Sequence, residues 1–480
     1  MRVEIVLRYV GLVLIFNAVF LFLAFLLSVY YSETTNAPLL YSSLIALIFG
    51  LLPIIYVQQT DYLKIVEGIA IVVFGWLSTC LIGSLPYLLW GGEFSVINAW
   101  FESVSGFTTT GSTVVNDIEA LPKSLLFWRS ATHWIGGIGI IFFTLLLLPK
   151  SNTSKLTLLN TEMSKIAKAD FKYRAKVTLK ILVYVYLGLT ALETILLMIA
   201  GMDFFDAINH SFATIATGGF STKNLSIASF HSVSIEIIIM IFMVLSGIHF
   251  GLIFNTILGK RNNIFRSPII KAFIIFLVVG IVFISLKLFF AGTYSSLGEA
   301  FRYASFQVIS LGTTTGFATA DTLNWPSFTQ IILIYFTIQC ATSGSTSGGL
   351  KFDRVWIFLK AVGKQIKLIQ HPRAIFLLKI GDKTIDEEIE THTMIFIILY
   401  LFIILVTTTL LTFLNVDLIT AFSSSAASIG NVGPGFGDVS SMGNYSSLPS
   451  FGKFILTINM LLGRLEIFGI ISLFFVKSWR

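Results

Sequence analysis

Four short clusters of small polar residues offer the most distinctive chemistry in this sequence: FTTTGST from 107, IATGGFST from 215, GTTTGFAT from 312 and GNVGPGFG from 430. The chain shows no nucleophile–base pairing, phosphate-binding loop or metal-ligand spacing, so bond-making chemistry has little to stand on. What threonine and glycine supply in series is oxygen. Glycine reaches backbone dihedrals that other residues resist, so a Thr–Gly run can turn its carbonyls to one side. A ring of carbonyls can replace the hydration shell of a monovalent cation. One such run is a weak signal, because Gly and Thr are common wherever transmembrane helices pack closely. Four matched copies are a strong one. Aligned on Gly111, Gly218, Gly316 and Gly433, three copies have an alanine twelve residues earlier, Ala99, Ala304 and Ala421; in the second, Ala207 is one residue closer.

The elements that must carry these clusters are membrane helices. A soluble chain of 480 residues would suggest about three domains. A mean hydropathy of +0.86 and apolar runs at 10–30, 38–57, 391–415 and 453–476 indicate a polytopic membrane protein instead. The first run is long and ends in no clean small-residue cleavage site, so it reads as a membrane helix and not a signal peptide. Cys80 and Cys340 lie in separate apolar segments and read as buried, inert thiols.

The net charge of +7 is unevenly distributed. One basic stretch holds Lys150, Lys155, Lys165, Lys168, Lys172, Arg174, Lys176 and Lys180. A second holds Lys260, Arg261, Arg266 and Lys271, and a third runs from Lys351 and Arg354 to Lys379. Between them the charges are mostly acidic, including Glu93, Glu102, Asp117, Asp206, Glu299, Asp321 and Asp438. That alternation follows the positive-inside rule and places the basic loops in the cytoplasm. No aromatic–basic interleaving supports nucleic-acid binding.

Each cluster follows a short segment. About 11 helical residues rise roughly 16 Å, half of a bilayer core and too short to cross it. Such a helix enters halfway and turns back. Full-length apolar segments flank the half-helices, near 64–90 and 122–148, 176–201 and 230–258, 268–291 and 327–361, and 391–415 and 449–477. The expected fold is all-α: four parallel helix–half-helix–helix repeats around one pore, with two extra helices before them. The corresponding boundaries are 1–60 for the extension and 61–150, 151–262, 263–380 and 381–480 for the repeats. Non-helical backbone at membrane depth is tolerated only where it is buried in protein or lines a water-filled cavity. The partially negative C-terminal ends of the half-helices favour a cation at the shared axis.

Two further features lie below the clusters. Arg464 stands about 15 residues, roughly 22 Å, from the outer end of the last apolar helix. An ionisable residue at that depth is a functional candidate; the alternative is an internal ion pair with another helix, Glu466 facing a different side of its own. The stretch ATSGSTSGG, 341–349, interrupts the second helix of the third repeat, because three glycines cost about 1 kcal/mol each in a helix. Lys351, Asp353 and Arg354 follow at what reads as the cytoplasmic edge, where a partner could pull on the loop. His133 and His249 read as packing or hydrogen-bonding residues, and Trp128, Trp134 and Tyr303 as interface or core aromatics.

At these residues the chain resembles the Trk/Ktr/HKT superfamily of potassium transporters, and within it the TrkH/TrkG branch. The resemblance rests on SGFTTTGST, HSFATIATGGFST, SLGTTTGFAT, NVGPGFG, HWIGGIGI, TSGSTSGGLKFDR and LLGRLEIFG, and the two extra N-terminal helices also fit that branch. It implies that potassium is the transported ion and that the potassium sites are lined by Thr109, Thr110 and Gly111, by Ala216, Thr217 and Gly218, by Thr314, Thr315 and Gly316, and by Asn431, Val432 and Gly433. It implies a gate formed by Gly344, Ser345, Thr346, Ser347, Gly348 and Gly349 with Lys351, and an arginine, Arg464, near the pore axis below the filter. It further implies a homodimer in the bacterial inner membrane, no organic cofactor on this chain, and a cytoplasmic nucleotide-binding RCK subunit similar to TrkA. The filter would face outward and both termini the cytoplasm. The alternatives are a sodium or mixed-cation pathway, a mainly structural membrane subunit, and an intramembrane enzyme. Glycine in all four aligned positions favours potassium, and the last two leave four matched loops unexplained.

Overall fold

The computed structural model describes residues 1–60, 63–139, 175–260, 263–381 and 383–475. Most of the first basic stretch, from Lys150 to Arg174, and Arg261 of the second lie outside the described residues, as does the end of the first repeat's second helix. Six described helices are long and apolar enough to cross a membrane, and a seventh span exists if one sharply bent pair is counted together. The chain is a multi-span, all-helical membrane protein.

Helices α1 (Val3–Tyr30) and α2 (Asn36–Tyr56) form the N-terminal pair and pack on α3 (Ile65–Trp90). The first repeat is α3, the half-helix α4 (Val96–Phe107) and α5 (Lys123–Ile138). The second comprises α6 (Ala175–Ile199), the half-helix α7 (Phe204–Ile215), α8 (Val233–Ser246) and α9 (Phe250–Ile257). The third comprises α10 (Pro268–Phe290), the half-helix α11 (Leu297–Gly312), α12 (Ser327–Ile338) and α13 (Phe352–Gln370). The fourth comprises α14 (Glu387–Phe413), the half-helix α15 (Leu418–Gly430), α16 (Ser450–Arg464) and α17 (Glu466–Phe475).

The four half-helices start alike. Ser95, Asp203, Ser296 and Asp417 each accept a hydrogen bond from the backbone N–H three residues on, which satisfies one of the free donors of the first turn. Ala99, Ala207, Ala304 and Ala421 are all buried, where only a small side chain lets the half-helix seat deeply. The repeats close on themselves. α5 packs on α7, α8 on α11, α12 on α15, and α16 on α4, so each second helix touches the next repeat's half-helix.

The expectation of unbroken second helices in three repeats is corrected. In the first, α5 ends at Ile138 and Gly139 has φ +76°. α8 and α9 meet at 105° across Gly247–His249. In the fourth, α16 and α17 part at Leu465, and Glu466, which opens α17, has φ +51°. The cause is close packing of the half-helix ends: a Cβ on Gly136 would strike the Phe107 carbonyl, and one on Gly463 the Ile429 carbonyl. The third repeat breaks where the sequence indicates, between Ile338 and Phe352. There Gln339–Cys340 pairs in parallel with Leu350–Lys351 and closes the neck of the loop.

Candidate ion pathway

Each half-helix ends by the same backbone turn. Thr109, Thr217, Thr314 and Asn431 take left-handed φ of 55°, 55°, 62° and 53°. The next N–H, of Thr110, Gly218, Thr315 and Val432, reaches back five residues to a half-helix carbonyl at 2.8–3.0 Å. One residue further, Gly111, Gly219, Gly316 and Gly433 have φ of 80°, 82°, 78° and 97°. The geometric counterpart of Gly111 in the second repeat is therefore Gly219, one residue beyond Gly218. Ala207 then sits twelve residues before it, as in the other repeats. Ala216 falls one step earlier than expected, level with Thr108 and Thr313 at the helix end, with φ of −76°.

These glycines close a ring. A Cβ on Gly111 would collide with the carbonyl of Gly218, on Gly219 with that of Thr315, on Gly316 with that of Val432, and on Gly433 with that of Thr110. Each repeat thus lays the carbonyl before its glycine against the glycine of the preceding repeat. Left-handed φ and these close approaches together admit only glycine. A cavity on one face of the ring touches Gly111, Gly219, Gly316 and Gly433 at once.

Behind the ring lies an ion pair that the sequence reading left unremarked. Glu102 accepts from Arg129 Nε at 2.8 Å, and both side chains are buried to within 1%. The Glu102 carboxylate also accepts from the Thr113 hydroxyl at 3.0 Å and the Val114 N–H at 3.1 Å. Arg129 reaches the second repeat by donating to the Ser221 carbonyl at 3.3 Å, its guanidinium 4.1 Å from the centre of the Phe220 ring. The available signal was Glu102 itself, the one charged residue of its half-helix. His133 has the packing role expected of it: Nδ1 lies 2.8 Å from the Gly106 carbonyl, and Nε2 accepts from Phe220 N–H at 3.2 Å. His249 caps α9, accepting from Gly251 N–H at 3.0 Å.

On the half-helix side of the ring, a second cavity is lined by the loop 343–349, Lys351 and Arg464. The loop is fastened to the half-helix ends. Thr346 Oγ1 donates to the Ile215 carbonyl at 3.0 Å, and Gly348 and Gly349 lie against Asn431 and Gly430 too closely to carry side chains. Arg464 Nη1 donates to the Thr346 carbonyl at 2.6 Å and Nη2 to the Gly136 carbonyl. Arg464 thus joins the last helix, the loop and the first repeat. Glu466 pairs not with Arg464 but with Arg354, at 2.8 Å.

Lys351 and Arg354, expected at the cytoplasmic edge, turn their side chains into the protein. Both are at least nine-tenths buried. Lys351 Nζ turns back to the carbonyl of Ser347 and to its hydroxyl at 3.1 Å, while Arg354 lies 3.8 Å from the centre of the Phe396 ring. Asp353 accepts from Ser343 N–H at 2.6 Å. Buried charges find partners because leaving them unpaired is costly: the loop serves Lys351 and Asp353, and Glu466 serves Arg354.

The comparisons with known proteins agree with this architecture. A family profile described as TrkH, cation transport protein, matches residues 41–479. The chain is 37% identical over 409 residues to the Trk system potassium uptake protein TrkH of Escherichia coli strain K12, covering 84% of each. It is 32% identical over 410 residues to the Trk system potassium uptake protein TrkG of the same strain, again covering 84% of each. The crystal structure of the potassium transporter TrkH from Vibrio parahaemolyticus superposes with a TM-score of 0.90 at 31% identity, over 100% of both chains. A fourfold-repeated membrane fold and a family match over nearly the whole chain lead to one conclusion: this chain belongs to the TrkH family of cation transport proteins.

Proposed function

We propose that this protein takes up potassium ions across the bacterial inner membrane, with the ring of Gly111, Gly219, Gly316 and Gly433 and the two residues before each glycine as its selectivity filter. The observation that carries the reading is the closure of the ring, in which each glycine is held against a carbonyl of the next repeat. The names of the relatives support potassium as the ion. Thr109, Thr110, Thr217, Gly218, Thr314, Thr315, Asn431 and Val432 complete the filter, and the boundaries 61–150, 151–262, 263–380 and 381–480 go with the repeats that present it.

The loop from Gly344 to Gly349 is the gate, seated under the half-helix ends and held there by Arg464 and Lys351. The filter faces outward, the basic loops and both termini face the cytoplasm, and the protein works as a homodimer regulated by a cytoplasmic nucleotide-binding RCK subunit similar to TrkA. Potassium is cargo, and the chain uses no organic cofactor. The test is flux of potassium and sodium into vesicles holding purified protein, wild type against Gly316→Ser. The wild type is expected to prefer potassium and the variant, still folded, to lose part of that preference. An unchanged ion ratio in Gly316→Ser removes the filter assignment, and a wild type that favours sodium points to the sodium or mixed-cation alternative.

A further inference from the structure

The outermost carbonyls of the ring are not equivalent. The Gly433 carbonyl accepts hydrogen bonds from the Tyr445 hydroxyl at 2.7 Å and from the Ser112 hydroxyl at 3.2 Å. Among the described residues, the carbonyls of its counterparts Gly111, Gly219 and Gly316 accept no hydrogen bond. Tyr445 is held in place for this contact. Its backbone N–H donates to the Thr113 carbonyl at 2.8 Å, and its ring centre lies 5.4 Å from that of Phe101. Tyr445 and Ser112 are each 2% exposed, yet both border the cavity that touches all four glycines. The backbone differs too: φ is 97° at Gly433 and 78–82° at the other three glycines. Pro434, which follows Gly433, has no counterpart in the other repeats.

A carbonyl oxygen has two lone pairs. With two hydroxyls donating to it, the Gly433 oxygen has neither to offer a passing cation. We infer that Tyr445 and Ser112 withhold one of the four outermost carbonyls, so that the outer cation site has three glycine carbonyls, with Tyr445 as its specificity-determining positioning residue. The inference rests on the filter reading above. Its physical sense is that conduction requires sites favourable enough to enter and weak enough to leave. A site short of one carbonyl leaves water on the fourth side of the ion and loosens binding where the ion first sheds its hydration shell.

The experiment measures potassium uptake against external potassium concentration in vesicles of uniform protein orientation, for wild type, Tyr445→Phe, Ser112→Ala and the double variant. Phenylalanine keeps the ring and its packing and removes only the hydroxyl. Tyr445→Phe is expected to lower the half-saturating potassium concentration by roughly 2- to 10-fold, the effect of one neutral hydrogen bond, with maximal flux no higher than wild type. Ser112→Ala is expected to shift it less in the same direction, and the double variant most. If half-saturation stays at the wild-type value in the double variant while only maximal flux falls, Tyr445 is merely structural and the inference is overturned. Gly316→Ser, run in parallel, separates the two readings. An altered potassium-to-sodium ratio there with unmoved half-saturation in the double variant sinks this inference alone, whereas an unaltered ratio sinks the filter reading beneath it.

Discussion

Removing the Arg464 side chain isolates the hold of the last helix on the loop. Of its hydrogen bonds to the described residues, the one to the Thr346 carbonyl, at 2.6 Å, reaches the loop, while the one to Gly136 does not depend on it. A hydrogen bond from a charged donor contributes about 1.5–3 kcal/mol. Losing it multiplies the ratio of displaced to seated loop by roughly 10 to 150, at about 1.4 kcal/mol per factor of ten. The charge acts in the same direction. A fixed cation about 4 Å from a passing ion raises that ion's energy by about 1–4 kcal/mol at an effective dielectric of 80 to 20. Arg464→Ala is therefore expected to raise basal potassium flux by at least about tenfold. Arg464→Lys keeps the charge, cannot form the same fork, and should fall between the two. The assay is flux into vesicles holding this protein alone, normalised to monodisperse protein. Wild-type flux from a well-folded Arg464→Ala protein refutes the reasoning. A lysine variant as open as the alanine variant refutes the charge contribution.

Two other perturbations follow from the same geometry. Deleting Gly344 to Ser347 removes Thr346 and its bond to the Ile215 carbonyl, so high flux without any regulatory subunit is expected, with potassium preference retained; a folded deletion protein at wild-type flux means the loop is not the obstruction. Glu102→Gln leaves Arg129 as a buried cation without its counter-charge, a loss of about 3–5 kcal/mol, to be read as a lowered melting temperature in detergent. A melting curve superposed on wild type would show that the pair is no strut.

The half-helices were legible because their signals are local. A capping residue, a short apolar stretch and a Thr–Gly cluster recur four times, and the structure places the half-helices at those positions. The register of the second cluster was not legible from the glycines, since Gly218 and Gly219 are adjacent and either completes the pattern. Ala207 held the missing information: its spacing to Gly219 matches that of the other three alanines. The breaks in the second helices were hidden for another reason. Near 136 the sequence is mostly apolar with several glycines, and near 463 it is apolar apart from Arg464 and Glu466, so neither stretch carries a clear helix breaker; what interrupts both is the approach of their own repeat's half-helix end, a tertiary cause. The inward turn of Lys351 and Arg354 is tertiary as well. Both read as edge charges because they follow the loop, and they are buried because Glu466 and the loop carbonyls lie within reach.

Those breaks bear on how the third repeat differs from the others. A half-helix that stops at mid-membrane exposes carbonyls there, and each needs a partner or water. In the first and fourth repeats the second helix passes so close to them that only Gly136 and Gly463 fit, and the helix ends within three residues of each. In the second repeat the bend at Gly247 leaves a carbonyl that Thr342 takes, by its N–H at 3.2 Å and its hydroxyl at 2.9 Å. The third repeat spends its own break differently, widening it into a loop long enough to reach Gly247 and Ile215 of the second repeat and Gly430 of the fourth. An interruption found in every repeat thus becomes, in one of them, a segment fastened by side-chain hydrogen bonds to its neighbours. Each such bond between side chains in a membrane averages only about 0.6 kcal/mol, so a few of them can hold the segment in place and still let it go.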